Sequence, residues 1–132
     1  MDLSLKTESF TQDKRNWLGS QHGTDAPVSV TLDVSKFTAG THYPDGYIKS
    51  GIPLGKVTAT SLYGPYDDAA TDGRQTLVGF LFTAQDVNAR GVASTKVVGS
   101  MLLHCFIREA KLPLGAVDAN GKADVAGRII FV

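Results

Sequence analysis

Three histidines, His22, His42 and His104, a single cysteine, Cys105, and two groups of aspartates are the side chains whose types could do chemistry here. A cysteine or serine nucleophile needs a base within hydrogen-bond reach and a third group to orient that base. His104 and Cys105 are adjacent in sequence, and on a strand adjacent side chains leave opposite faces, so the two cannot pair with each other. A helix would separate them as well, because neighbouring residues do not face one another there. A lone cysteine is most simply a buried, inert core residue. His22 and His42 fall in turn-rich stretches where a solvated side chain is expected, and no serine sits in a G-x-S-x-G elbow.

Asp67, Asp68 and Asp72 could gather a hard cation, since carboxylates on a loop suit calcium. The simpler expectation is a solvated hairpin loop whose aspartates make Asx turns. Asp118-Ala119-Asn120-Gly121 with Asp124 misses the calcium-loop spacing and reads as a turn or a helix cap. None of the glycines falls in G-x-G-x-x-G, and Gly55-Lys56-Val57 lacks both the preceding glycine and the hydroxyl of a phosphate loop. The expectation is therefore a non-enzymatic chain with no metal and no cofactor.

The elements that would carry these residues are β-rich. From Val28 to Val57 the pattern is strand, loop, strand, loop, strand, with Val28, Val30, Leu32 and Val34 on one face and Ser29, Thr31 and Asp33 on the other. Lys36 to Pro44 reads as loop, closed by the Pro44-Asp45-Gly46 turn, and Tyr47-Ile48 resumes an extended course. Ser50-Gly51 breaks it, and Pro53 puts the segment beyond it on an edge or outside a central ladder. Val57, Ala59, Ser61 and Tyr63 alternate as a strand would, and Gly64 to Arg74 is a polar loop ending in an Asp-Gly turn.

Gln75 to Phe82 has no polar face and should be a central strand buried on both sides. Lys96 to Ile107 satisfies both a helical stripe and an alternation, with Gly99 and the paired valines favouring strand. A brief helical turn is expected at Arg108 to Lys111 and one short helix within Val117 to Gly127. Arg128 to Val132 reads as a final strand paired in the sheet, so truncating it should impair folding. The fold class is mainly β: a small single-domain β-sandwich or barrel-like fold with an extended N-terminal arm and at most one or two short helices.

Composition narrows the partners. A chain of 132 residues fits one domain and can remove roughly two-thirds of its unfolded surface from water without a disulfide or metal. One cysteine suits a reducing compartment. The 13 basic residues balance 13 acidic ones, and no Lys/Arg cluster offers counterion release, so no nucleic-acid partner is expected; Lys14-Arg15 is an isolated pair. Apolar runs such as Leu77 to Leu81 are too short for a bilayer, and no basic region followed by an apolar one opens the chain, so neither membrane nor signal peptide is expected. Near-neutral charge permits an assembly partner.

Residues 1 to 25 differ from the remainder, 26 to 132. Leu3, Leu5, Phe10, Trp17 and Leu18 are isolated among polar residues and no period persists, which describes an arm. Trp17 beside Leu18 carries apolar area that a solvated tail does not need, so the arm is expected to order by docking, on its own body or on a partner.

Several blocks in order resemble the lambda-type head decoration proteins of tailed bacteriophages. They are Thr31-Leu32-Asp33, Phe37, the run His42-Tyr43-Pro44-Asp45-Gly46-Tyr47-Ile48-Lys49-Ser50-Gly51 and Leu54-Gly55. The likeness continues through Asp72-Gly73-Arg74-Gln75, Gly79-Phe80-Leu81-Phe82 and Arg108-Glu109-Ala110-Lys111-Leu112-Pro113 to Ile129-Ile130-Phe131-Val132, spanning nearly all of residues 15 to 132. Order and spacing carry it rather than any single motif, and Trp17-Leu18-Gly19 departs from the shorter lambda arm.

The resemblance implies a capsid cement protein, located on the virion exterior and in the host cytoplasm during assembly. It would be a homotrimer that binds the major capsid protein of the expanded head through its arm, with Phe10, Trp17 and Leu18 as the capsid-binding residues. An arm that adds a strand to an exposed sheet edge, three to a trimer, fits such attachment. A small β-barrel ligand-binding module is the alternative expectation, motivated by the apolar strands between Val28 and Phe82.

Overall fold

The computed structural model describes residues 13–87 and 94–132. Strand β1 (Val28–Asp33) is followed by a 3-10 turn over Val34–Lys36, helix α1 (Ala39–His42), β2 (Tyr47–Ile48), β3 (Pro53–Lys56), β4 (Tyr63–Pro65), β5 (Gly79–Leu81) and β6 (Gln85–Asp86). Then come β7 (Lys96–Leu102), β8 (Cys105–Ile107), a 3-10 turn over Glu109–Lys111, helix α2 (Ala119–Asp124) and β9 (Ile129–Phe131). This is a small, mainly-β domain with two short α-helices.

Five strands close a barrel in the order β1-β4-β3-β5-β7. The longest seam is antiparallel, β1 against β7, with Val28 opposite Met101 and Asp33 opposite Lys96. The β1–β4 seam is parallel. Two small sheets flank the barrel, β2 with β6 antiparallel and β8 with β9 parallel.

Alternation on the barrel strands divides the core in two. Val30, Leu32, Leu54, Leu81 and Met101 fill one cluster with Phe37, Ile48, Ile52 and Val87. Phe80 and Leu102 turn the other way, into a second cluster with Trp17, Cys105, Ile107, Leu112, Val125 and Ile129. On β5, Phe80 and Leu81 are neighbours that serve different clusters, so the strand needs apolar residues on both faces. This is the expected doubly buried strand, with its regular part confined to three residues. The first cluster is the inside of the barrel. The second lies between the barrel wall and the β8–β9 sheet, and Arg128 ties the two by donating from Nη1 to the carbonyls of Val78 and Leu103, at 3.0 and 3.1 Å.

Several expectations hold at residue level. β1 alternates as read, although Val28 at its start is exposed. Gly46 and Gly51 take the left-handed backbone (φ +84° and +89°) that glycine adopts without steric cost. Lys96 to Ile107 is strand, broken at Leu103-His104 into β7 and β8. Asp118 caps α2, accepting from Gly121 N–H at 2.8 Å. The chain ends in a paired strand, with β8 as its partner.

Three expectations are corrected. Pro53 lies neither on an edge nor outside the ladder: it opens β3, which sits between β4 and β5. The first position of a strand tolerates a missing N–H, and its carbonyl accepts from Tyr66 N–H at 2.9 Å. The alternation from Val57 to Tyr63 is a turn until Tyr63, with Val57 N–H donating to the Leu62 carbonyl at 2.8 Å and Ser61 at φ 59°. Short polar residues there compete for backbone partners, as Thr60 Oγ1 does by accepting from Leu62 N–H at 3.3 Å. Lys36 to Pro44 is not plain loop, since α1 lies within it.

Candidate functional site: the docked N-terminal segment

The segment from Asp13 to Asp25, expected as part of an arm, packs on its own body. Trp17 is 1% exposed and its ring stacks on Phe80 at 6.1 Å between centroids. Its Nε1–H donates to Ser50 Oγ at 3.0 Å, and that hydroxyl donates on to the Phe82 carbonyl at 2.8 Å. A buried indole N–H needs a partner, and Ser50 is itself buried to supply one. Gly51 makes room: a Cβ there would lie 2.9 Å from the indole.

The backbone around Trp17 extends the β8–β9 sheet. Leu18 bridges Ile107 in antiparallel sense, Gly19 N–H donates to the Phe106 carbonyl at 2.8 Å, and Arg108 N–H donates to the Trp17 carbonyl at 2.6 Å. Residues 17–19 thus occupy one edge of β8 while β9 occupies the other. Upstream, Asp13 Oδ2 accepts from Ala84 N–H at 3.0 Å and from Arg15 Nε at 3.3 Å, with the Arg15 guanidinium 4.4 Å above the Phe82 ring. Downstream, His22 Nε2 and His104 Nδ1 are hydrogen-bonded at 2.7 Å.

Of the two docking places expected for the Trp17 segment, its own body or a partner, the structure shows the first: the indole lies in the chain's own core. Leu18 is half-buried beside it. Phe10 lies outside the described residues. The large apolar side chains left exposed among the described residues are Val28, Val98, Leu114, Ile130 and Val132. Val98 stands out most from the β1–β7 seam, at 66% exposure, opposite Thr31. Ile130 and Val132 belong to the outer face of β9 and its end, and β9 pairs only with β8 among the described residues.

The reactive side chains have structural employment. Cys105 is buried and burial pushes its thiol up to about 12, while His104 beside it is exposed. His42 is half-buried, accepts from Thr38 N–H through Nδ1 at 2.8 Å, and its pKa is lowered, by burial first and by the Arg74 charge next. Asp67 and Asp72 make the expected Asx turns, accepting from Ala69 N–H at 3.0 Å and Arg74 N–H at 3.2 Å. Hydrogen bonding from the Arg74 side chain holds Asp72 below the usual carboxylate range, and Lys36 lies 3.5 Å away. Asp118 is lowered by the Gly121 N–H and then by the Tyr66 hydroxyl, which donates to it at 2.7 Å. Among the described residues no three His, Cys, Asp or Glu side chains gather around a common metal position. No helix among them is long and apolar enough to cross a membrane.

Sequence reasoning missed the Trp17–Ser50 bond and the His22–His104 pair, which join residues 33 and 82 positions apart. The one local signal for the first was Ser50-Gly51, a hydroxyl followed by a residue without Cβ. A scan against protein-family models gave no match for the chain, and neither did a search of curated proteins.

Proposed function

We propose that the chain is a structural virion protein that binds the exterior of the expanded phage capsid as a homotrimer and stabilises the shell. The observation that carries this reading is where the residues of the resemblance sit. Pro44-Asp45-Gly46 makes the turn into β2, Ser50-Gly51 receives Trp17, and Asp72-Gly73-Arg74 lies against β3 and β4. At that last site Arg74 Nη1 donates to the Pro65 carbonyl at 3.3 Å, and Gly55 and Gly64 leave space for the Arg74 backbone and side chain. Shared spacing at such positions is what a shared fold would require, and a catalytic signature is not needed to explain it.

Cementing follows from linkage: a protein that binds only the expanded, assembled shell stabilises it against every state it does not bind. Attachment by three arms makes the second and third contacts intramolecular. With Trp17 held in the body, the gripping part of the arm is the chain before Asp13, which includes Phe10. The alternative of a small-molecule barrel is disfavoured because Leu32, Leu54, Leu81 and Met101, each no more than 1% exposed, fill the barrel interior.

Two variants test the arm. Removing residues 1–12 keeps Trp17 and should leave a folded trimer by analytical ultracentrifugation that no longer binds expanded heads. Removing residues 1–25 takes Trp17 away and should damage the fold itself. Undiminished head binding by the first variant would rule out the arm as the grip.

A further inference from the structure

We propose that His22 and His104 form a two-histidine site for a divalent transition metal of tetragonal preference, Cu²⁺ or Ni²⁺, which staples the N-terminal segment to the turn between β7 and β8. The two ring nitrogens are already 2.7 Å apart, on exposed side chains 82 residues apart in sequence. Main-chain contacts on both sides impose the approach. Gly19 N–H is bonded to the Phe106 carbonyl at 2.8 Å, and Gly23, at φ +79°, lies so close to the His104 carbonyl that any side chain there would collide with it. His22 N–H donates to Ser20 Oγ at 3.1 Å, and the His22 ring meets Phe106 edge-on at 5.4 Å. Cys105, next to His104, is anchored in the core.

The separation bears on which metal fits. Imidazole nitrogens bind at 2.0–2.1 Å, so two of them at a right angle stand about 2.9 Å apart, and at the tetrahedral angle about 3.3 Å. From 2.7 Å, the first arrangement needs the rings to part by about 0.2 Å and the second by about 0.6 Å, and in both the rings must also swing so that their lone pairs meet at a metal off the N–N line. Right-angled nitrogen pairs suit square-planar and tetragonal ions, Cu²⁺ and Ni²⁺, better than tetrahedral Zn²⁺. Both facing nitrogens must present lone pairs to the metal, so the ring that donates the present hydrogen bond carries its proton on its other nitrogen when the metal is bound. With two protein ligands its remaining positions face solvent and take water.

The test is Ni²⁺ titration of the full chain, followed by calorimetry and thermal unfolding, with His22→Asn, His104→Asn and His42→Asn variants. Each variant's fold is checked without metal by circular dichroism. The proposal expects one Ni²⁺ per chain and a rise in Tm for the parent and for His42→Asn. Affinity should fall at least tenfold, with no Tm rise, in either of the other two. Parent-like Ni²⁺ affinity in His104→Asn or His22→Asn would overturn it, as would tighter binding of Zn²⁺ than of Ni²⁺ by the parent.

Discussion

Trp17 and Ser50 are joined by a buried hydrogen bond of 3.0 Å that fastens the N-terminal segment to the turn between β2 and β3. The contact makes the segment from Asp13 part of the fold, and it sets the first expectation. Trp17→Ala should destabilise the domain by about 3–5 kcal/mol, as large aromatic truncations in cores do. Ser50→Ala keeps the indole but strips its N–H of a partner, which costs about 1–3 kcal/mol. Urea unfolding of the two variants should rank them in that order.

Gly46 and Gly51 share a left-handed backbone and differ in their surroundings. A Cβ at Gly46 meets nothing within 4 Å, whereas one at Gly51 lies 2.9 Å from the Trp17 ring and 3.0 Å from Pro113 Cδ. Gly46→Ala should cost about 1 kcal/mol, from backbone strain alone. Gly51→Ala should cost more, because the indole or the proline must also move, and it should change the near-ultraviolet signal of Trp17.

The Cys105 thiol should be silent in the native state. With its pKa at about 12, only roughly one molecule in ten thousand carries the thiolate at pH 8. Native protein should not react with a disulfide reagent over the time in which urea-unfolded protein reacts fully. Rapid native labelling would show that the β8 core opens.

Acid should weaken the fold in two stages. The pKa of His42 is lower in the folded protein than its ordinary 6.5, so below that pH the unfolded chain takes up a proton first. Stability then falls as pH drops from 6.5 through the folded value, and levels off beneath it. Asp72 and Asp118 are also lowered. Their contribution is present above the ordinary carboxylate range and is lost as pH falls through their folded values. Tm measured against pH should show both limbs, and His42→Gln should remove the first.

The local part of this fold was legible in the sequence. Alternation from Val28, the Pro44-Asp45-Gly46 turn, the apolar run ending at Phe82, the Asp118 cap and the closing strand all report on neighbours a few residues away. Val57 to Ser61 misled because alternation was present while the Thr60 hydroxyl offered the backbone a closer partner. Barrel closure, the burial of Trp17 against Ser50 and the meeting of His22 with His104 are set by contacts between distant residues. A tryptophan that anchors to its own body and one that anchors to a partner look the same in sequence, since both bury the same ring.

The capsid-binding proposal entails that a tailed phage encodes the chain, and its most direct test is co-sedimentation of the purified full chain with tailed-phage heads, expanded and unexpanded, read by electron microscopy. The proposal predicts trimeric density on the exterior of expanded heads only, and expanded heads that survive heating better when it is bound. Absence of the chain from expanded heads, or equal binding to both forms, would contradict it.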